Sequence, residues 1–289
     1  MYLDSKGSRD VEAVFVGPYA YAVNASSSTV VYAIKEYLDR YGIDVDVVVR
    51  VWKGIPVSAG LGGSAASSVA ALVALVRALD RKIDPIEVAE ICGRAEIASA
   101  GTPHYDNAVA STFGYFVFLL SINPLRVYRF DIEDIEFVIA TPKIENVIHR
   151  KTAIMRSVLP KSIDLGIHVR NSSSLAALLI GLINRDREIL KLGFGKSFVD
   201  EARSRYVPCY YEVAEALYKL GYSISISGAG PSIMTFCFNH QECTYLAKLI
   251  KDIYERECDL DVCVRIASPA PGAVEVVNSY AKARLYLYS

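Results

Sequence analysis

IPVSAGLGGSAASSVAALVALVRAL, residues 55–79, decides how the rest of this chain is read. Gly60, Gly62 and Gly63 stand immediately before an apolar run whose length predicts a buried helix from Ser64 to about Leu79. Glycines at such a place reach backbone angles that other residues resist, and they leave no side chain to obstruct a ligand. The first turn of the helix carries unpaired N–H groups and the positive end of the helix dipole. Together, loop and helix start form an anion site, most often for phosphate. Pro56, Val57, Ser58, Ala59, Gly60, Leu61, Gly62, Gly63, Ser64, Ala65 and Ala66 make up the candidate phosphate-binding loop. The hydroxyls of Ser64, Ser67 and Ser68 stand at the same end, where one can ligate a magnesium ion carried by the phosphates. A Gly-Leu-Gly-Gly run is equally compatible with a plain strand-to-helix turn. Neither G-x-x-x-x-G-K-[ST] nor the dinucleotide-binding glycine pattern is present.

Composition narrows the class. With 289 residues, 52% hydrophobic and 22% charged, the chain has the apolar mass for a packed core. A net charge of −1 offers no basic excess for nucleic acid. Cys92, Cys209, Cys237, Cys243, Cys258 and Cys263 contain no C-x-x-C pair, which favours buried free thiols in a reducing cytoplasm over a zinc site. The opening MYLDSKGSRD is too polar for a signal peptide. No apolar run is expected to span a membrane, the longest helical candidate being broken by Arg77. A soluble cytoplasmic protein is expected, with neither nucleic acid nor membrane as partner.

Working outward from the loop, residues 43–52 (IDVDVVVRVW) predict the strand that delivers the chain to it, and residues 11–17 (VEAVFVG) an earlier strand. Asn24 to Tyr41 has helical periodicity closed by Gly42. Asp84-Pro85 reads as an N-cap and first helical position. Residues 114–121 and 135–141 predict strands, and Ile144 to Arg156 a loop leading into a helix. Asn171–Ile183 and residues 209–220 predict helices, residues 222–227 and 232–238 strands around Gly228-Ala229-Gly230-Pro231. A helix over 241–257 and a strand over 262–267 close the pattern. Strands and helices interleave, so the fold class is α+β in two lobes with a boundary near residue 145.

A second stretch, EIASAGTPHYDNAVASTFGYFVF from Glu96 to Phe118, concentrates polar residues. Glu96 closes a helix; Gly101 and Pro103 turn the chain; His104, Asp106 and Asn107 follow within four positions. Alone, a glutamate at a helix end is usually solvated and His-Tyr-Asp-Asn is ordinary turn chemistry. Phosphoryl transfer, however, needs a carboxylate to hold magnesium beside the loop serine and a polar group to orient the attacking hydroxyl. Glu96 with Ser64, and Asp106 with Asn107, suit those tasks.

The order of these stretches resembles the GHMP kinases, whose phosphate loop usually reads Gly-Leu-Gly-Ser-Ser-Ala; Gly63 here replaces the first serine. Among them the homoserine kinases carry Glu followed by Gly-x-x-His-x-Asp-Asn, and mevalonate kinases generally lack that histidine. HRKTAIMRSVLP, residues 149–160, resembles their Thr-x-x-Ala-Arg-x-x-Leu-Pro segment at Thr152, Arg156, Leu159 and Pro160, with Met155 in place of the alanine. VDEARSRYVPCY resembles Glu-Pro-x-Arg-x-x-Leu-Ile-Pro, with Arg203 on the arginine and Arg205 close by. Gly228-Ala229-Gly230-Pro231-Ser232 matches the family's C-terminal glycine motif, which closes against the phosphate loop. The likeness spans about residues 11 to 275.

The resemblance implies a two-lobed GHMP kinase fold: an N-terminal nucleotide-binding α/β lobe, residues 1–145, and a ferredoxin-like C-terminal lobe, residues 146–289. It implies an ATP- and Mg²⁺-dependent kinase acting on the hydroxyl of L-homoserine in threonine biosynthesis, and it is compatible with a homodimer. Asp106, Asn107 and Thr152 would be the catalytic residues, His104, Asn107 and Arg203 the substrate contacts, Ser64 and Glu96 the metal ligands. A guanidinium fork suits a substrate carboxylate. A mevalonate-type kinase and a non-catalytic nucleotide-binding relative are the alternatives.

One family feature has no counterpart: the opening Pro-x-Ser-x-Asn-Leu-Gly-x-Gly-Phe-Asp motif. VEAVFVG also reads as a strand without a partner, since only ten polar residues precede it. The expectation is therefore either an upstream segment carrying that motif or its loss in this lineage. Ser28 or Asn24 would stand where the family has an adenine-side asparagine, and Lys53 would add a contact beside the loop.

Overall fold

The computed structural model describes residues 2–4, 9–144 and 155–273. Two compact units emerge: Met1–Val57, Gly62–Asp131 and Ala270–Ser289, as far as they are described, and Ser58–Leu61 with Ile132–Pro269.

The first unit is built on β1 (Tyr2–Asp4), β2 (Val11–Val16) and β3 (Asp46–Trp52), joined in the order β1-β3-β2. β2 runs parallel to β3 along its whole length, from Val11 against Val47 to Val16 against Trp52. The expectation of an unpartnered VEAVFVG strand is thus corrected: its partner comes from further along the chain, through a β-α-β crossover that sequence order conceals. The ten residues before β2 supply no long neighbour, but Tyr2–Asp4 pairs antiparallel on the other side of β3 over three residues.

The crossover helix α1 spans Thr29–Tyr41 and ends at Gly42 in the left-handed conformation. It starts after the expected Asn24 because Ser26 Oγ donates to Asn24 Oδ1 and Ser28 Oγ to the Ala25 carbonyl, which holds those residues in a turn. Helices α2 (Gly63–Ala78) and α3 (Pro85–Ala95) pack with α1 over the sheet, burying Ile34, Tyr37, Leu72, Leu75 and Ile91. Asp84 caps α3 by accepting from Ile86 N, as its sequence predicts. The short α4 (Ile97–Ala100) follows.

Asp106–Phe113 forms a further helix, α5, where the sequence suggested only a loop; Asp and Asn are at home in a first turn. β4 (Phe116–Ile122) and β5 (Leu125–Phe130) make a hairpin, of which only β4 was expected.

In the second unit, β6 (Glu136–Pro142), β7 (Ser225–Ile226), β8 (Ile233–Cys237) and β9 (Val262–Ala267) form an antiparallel sheet in the order β7-β8-β6-β9. α6 (Leu165–Asn184), α7 (Arg187–Gly193), α8 (Phe198–Ser204), α9 (Tyr210–Lys219) and α10 (His240–Arg256) complete it. α10 lies against β6 and β9, and Val138, Ile233, Leu246, Ile250 and Tyr254 share one buried cluster.

Two corrections concern chemistry. Cys209–Cys258 and Cys237–Cys243 are disulfides; only Cys92 and Cys263 are free thiols. Sequence spacing could not reveal this, because Cys209 and Cys258 meet only once the chain has folded back on itself. The group Cys209, Glu212 and Cys258, close enough to ligate a metal, therefore has its sulfurs bonded to each other. Second, α6 begins two turns earlier than expected and, at 20 residues, is long and apolar enough by length and composition to cross a membrane. Asp164 starts it early by accepting from Ile167 N.

Candidate functional site

The glycine loop is built by backbone angles. Ser58, Gly60 and Gly62 all lie in the left-handed region, with φ of +58°, +79° and +63°. Gly62 is the N-cap of α2, and no side chain caps that helix. By contrast, the side chains of Asp84, Asp164, Asp186, Ser197 and Asn239 each accept an N–H from the first turn of their own helices. The first-turn amides of α2 keep their donors for another acceptor, at the positive end of the dipole.

Space around the loop is shaped as tightly as its angles. A Cβ on Gly60 would fall 2.1 Å from the Ser227 carbonyl oxygen, and one on Gly62 2.9 Å from Asn107 Oδ1. Within the second unit the glycine motif closes on the loop as its sequence suggests: Ser227 Oγ donates to the Gly60 carbonyl at 3.0 Å and Ser232 N to the Ala59 carbonyl at 3.3 Å.

Lys53, the residue after β3, supplies an ammonium that the glycine loop's own sequence lacks. It is 5% exposed and donates from Nζ to the Gly63 carbonyl and, at 2.8 Å, to Ser67 Oγ. Burial pushes its pKa down, opposed by the charge of Glu96. Glu96 itself, at the junction of α3 and α4, is buried rather than solvated, at 8% exposed. Ser64, half-buried, shares its hydroxyl with Thr29 Oγ1 at 3.1 Å. The base of the loop thus gathers a buried cation, a buried carboxylate and hydroxyls. That donor set fits a magnesium nucleotide: oxygen ligands for a hard cation, and amides with an ammonium for its phosphates.

The His-Tyr-Asp-Asn stretch divides. Asn107, at the second position of α5, turns its carboxamide toward Gly62. His104 and Asp106 line a cleft of about 510 Å³ with Pro103, Tyr105, Leu119 and Ile122. His104 N donates to the Gly93 carbonyl, and Nε2 stands 3.1 Å from Thr102 Oγ1.

Thr152 lies outside the described residues. Arg203, in the last turn of α8, donates from Nε to the Met155 carbonyl at 3.0 Å and from Nη1 to the Gly228 carbonyl at 2.9 Å. Burial lowers its pKa, and nearby Arg156 adds to that. The guanidinium therefore braces the glycine motif, with further N–H groups beyond those two bonds. Arg205, by comparison, stacks over the Tyr206 ring.

Two residues escaped the sequence reading. Thr29 reaches Ser64, whereas its neighbour Ser28 was singled out only for the adenine side; the signal for Thr29 is its place at the first turn of α1. Asp200, 9% exposed, accepts from Ile226 N, Ser225 Oγ and Ser197 Oγ, tying α8 to β7 and so orienting Arg203. Its signal was its place three residues before Arg203, where the family pattern has glutamate.

The GHMP kinases N terminal domain family matches residues 28–115, a range holding the loop, Lys53, Glu96 and Asn107. A homoserine kinase of Pyrobaculum aerophilum is 36% identical over 248 residues, covering 86% of this chain and 82% of that one. One of Pyrobaculum islandicum is 35% identical over 253 residues, covering 86% and 83%. The crystal structure of a homoserine kinase from Cytophaga hutchinsonii superposes with a TM-score of 0.83 at 25% identity, covering 93% of this chain and 85% of that one. Shared sequence over most of both chains, on the same fold, means that this chain belongs to the homoserine kinase family of the GHMP kinases.

Proposed function

We propose that this chain transfers the γ-phosphoryl group of ATP to the side-chain hydroxyl of L-homoserine. The observation that carries this reading is the uncapped α2 N-terminus beside buried Lys53, in a chain over a third identical to homoserine kinases. The amides of Gly63, Ser64 and Ala65 cradle the phosphates, with the loop from Pro56 to Gly62 leading into them, while the Ala66 amide donates to the Gly62 carbonyl at 3.0 Å. Lys53 adds positive charge at the base of the helix. Ser64 and Glu96 would hold Mg²⁺, which neutralises phosphate charge as it shifts toward the leaving ADP.

His104 and Arg203 bind the amino-acid end of the substrate, and Asn107 with Thr152 orients its hydroxyl. The hydroxyl oxygen bonds to the γ-phosphorus as the bond to the β–γ bridging oxygen breaks. Asp106 or solvent takes the hydroxyl proton; positioning and charge neutralisation supply most of the acceleration. An ATP-binding domain over residues 1–145, a second over 146–289 and a cytoplasmic setting belong to the same proposal.

A coupled assay with homoserine and mevalonate tests the substrate: ADP release with homoserine is expected, and release with mevalonate alone would overturn it. Glu96→Gln keeps the shape and removes the charge. It should lower turnover ~10²–10³-fold and raise the magnesium requirement; near-normal turnover at low magnesium would remove Glu96 from the metal.

A further inference from the structure

Among the described residues, one group of three metal-ligating side chains has its donor atoms within 4.8 Å of one another: Cys209, Glu212 and Cys258. Local structure explains the convergence. Cys209 is the N-cap of α9 and Glu212 the third residue of that helix, two positions whose side chains are neighbours over the first turn. Cys258 stands just beyond α10, where its N–H donates to the Ile253 carbonyl. The two sulfurs form a disulfide as the fold stands. Cys237–Cys243 offers a contrast: both its cysteines are fully buried, and neither belongs to a group of three such donors.

We propose that in the reduced chain a zinc ion takes the place of the Cys209–Cys258 disulfide, held by the two thiolates and the Glu212 carboxylate. The exchange balances. A dithiol reductant gives two electrons and two protons to the sulfurs and leaves as its own disulfide. Zinc then displaces one proton from each thiol, and water fills the fourth position. Two sulfurs and a carboxylate suit zinc, whereas calcium and magnesium take oxygen ligands alone. At Zn–S bonds of ~2.3 Å, tetrahedral sulfurs stand about 3.7 Å apart. The Cα atoms of the pair are 6.0 Å apart, so turning the side chains about Cα–Cβ parts the sulfurs that far without moving the backbone.

Electrostatics and access support the ion. No side chain caps α9, so a thiolate on Cys209 meets the positive end of that helix directly. Cys258 is half-buried and Glu212 exposed, which gives reductant and metal a way in. The site is also tied to the glycine motif. Val207, two residues before Cys209, packs against Gly230, where a Cβ would fall 3.2 Å from Val207 Cγ2. The Pro208 carbonyl accepts from Tyr254 Oη of α10 at 3.1 Å. In a reducing compartment, where disulfides are rare, zinc therefore keeps the crosslink between α9 and α10 that steadies this segment against the motif.

The test takes the full chain, reduced with tris(2-carboxyethyl)phosphine under nitrogen and freed of metal, and titrates it with Zn²⁺ and with Co²⁺ as a spectroscopic probe. None of its readouts depends on kinase activity. The reduced chain should bind one zinc ion, and cobalt should give a thiolate charge-transfer band in the near ultraviolet. The oxidised chain should do neither. Zinc should raise the melting temperature of the reduced chain alone. Cys258→Ser should abolish the cobalt band, and Glu212→Gln should weaken zinc at least ~10-fold. Cys243→Ala should leave both unchanged. Should a cysteine variant misfold, Glu212→Gln at its exposed position carries the test. A reduced chain that takes up no more zinc than the oxidised one would overturn the proposal. So would a cobalt band that survives Cys258→Ser or vanishes with a folded Cys243→Ala, or a zinc affinity indifferent to Glu212→Gln.

Discussion

α2 and α6 are the two most apolar of the longer helices among the described residues, and they have opposite fates. Nine of the sixteen residues of α2 are buried, including Val69, Leu72 and Leu75 at complete burial. Of the twenty residues of α6, only Gly181 and Leu182 are. Their N-termini differ in the reverse sense. α6 is closed by Asp164, whose carboxylate takes up the Ile167 amide. α2 begins at Gly62 with no side-chain cap. Apolar composition therefore marks where a helix wants cover, without saying what supplies it. α1, α5 and α9 also lack a side-chain cap, so what sets the α2 start apart is the glycine loop before it and the Lys53 ammonium beside it.

The strongest way to break the contrast is at the open N-terminus. Gly62→Val sets a β-branched side chain at a φ of +63° and against Asn107. ATP binding should be lost to calorimetry and kcat/KM should fall by ~10³ or more, the scale of losing aligned backbone donors. Circular dichroism should report an intact fold. Full ATP affinity in the folded variant would detach the loop from the nucleotide.

Next comes the burial contrast itself. Leu72→Ala should cost ~2.7–5 kcal/mol of unfolding free energy, through lost transfer energy and the cavity left behind. Ile183→Ala, at 54% exposed, should stay within ~0.5 kcal/mol in dilute solution. Urea titrations of the two variants measure the difference directly, and equal costs would mean that the α6 face is covered.

The closed N-terminus gives a smaller effect. Asp164→Ala should cost ~1 kcal/mol, the usual loss for removing an N-cap, without changing KM for ATP. A matching loss of ATP affinity would mean that the two helix starts are not separate in function.

The smallest effect lies in pH. Burial holds the Lys53 pKa below 10.5 in the folded chain, so between its folded value and 10.5 the unfolded chain binds more protons. Stability contributed by Lys53 must then rise with pH across that window and be lowest beneath it. The native chain should gain on Lys53→Met as the pH is raised toward 10.5. A difference that is flat with pH would mean that the ammonium is not desolvated.

The sequence by itself determined the features that depend on near neighbours. Glycines before an apolar run specify the loop and α2, Asp84-Pro85 specifies the start of α3, Gly42 the end of α1, and alternation the strands β2, β3 and β6. Spacing within Glu96–Asn107 was enough to single out the polar residues of the candidate site, because turn and cap preferences act over three or four positions. Tertiary structure alone decided whatever joins distant residues. It paired VEAVFVG with β3 across the crossover helix, buried Glu96 beside Lys53, and joined Cys209 to Cys258. It turned Asn107 toward the glycines while His104 and Asp106 line a cleft, and it bound Arg203 to the carbonyls of Met155 and Gly228. The reason is physical: local preference fixes backbone angles within a few residues, whereas burial and partner choice depend on which surfaces meet when loops close. An apolar stripe written alike in sequence becomes core in α2 and open surface in α6.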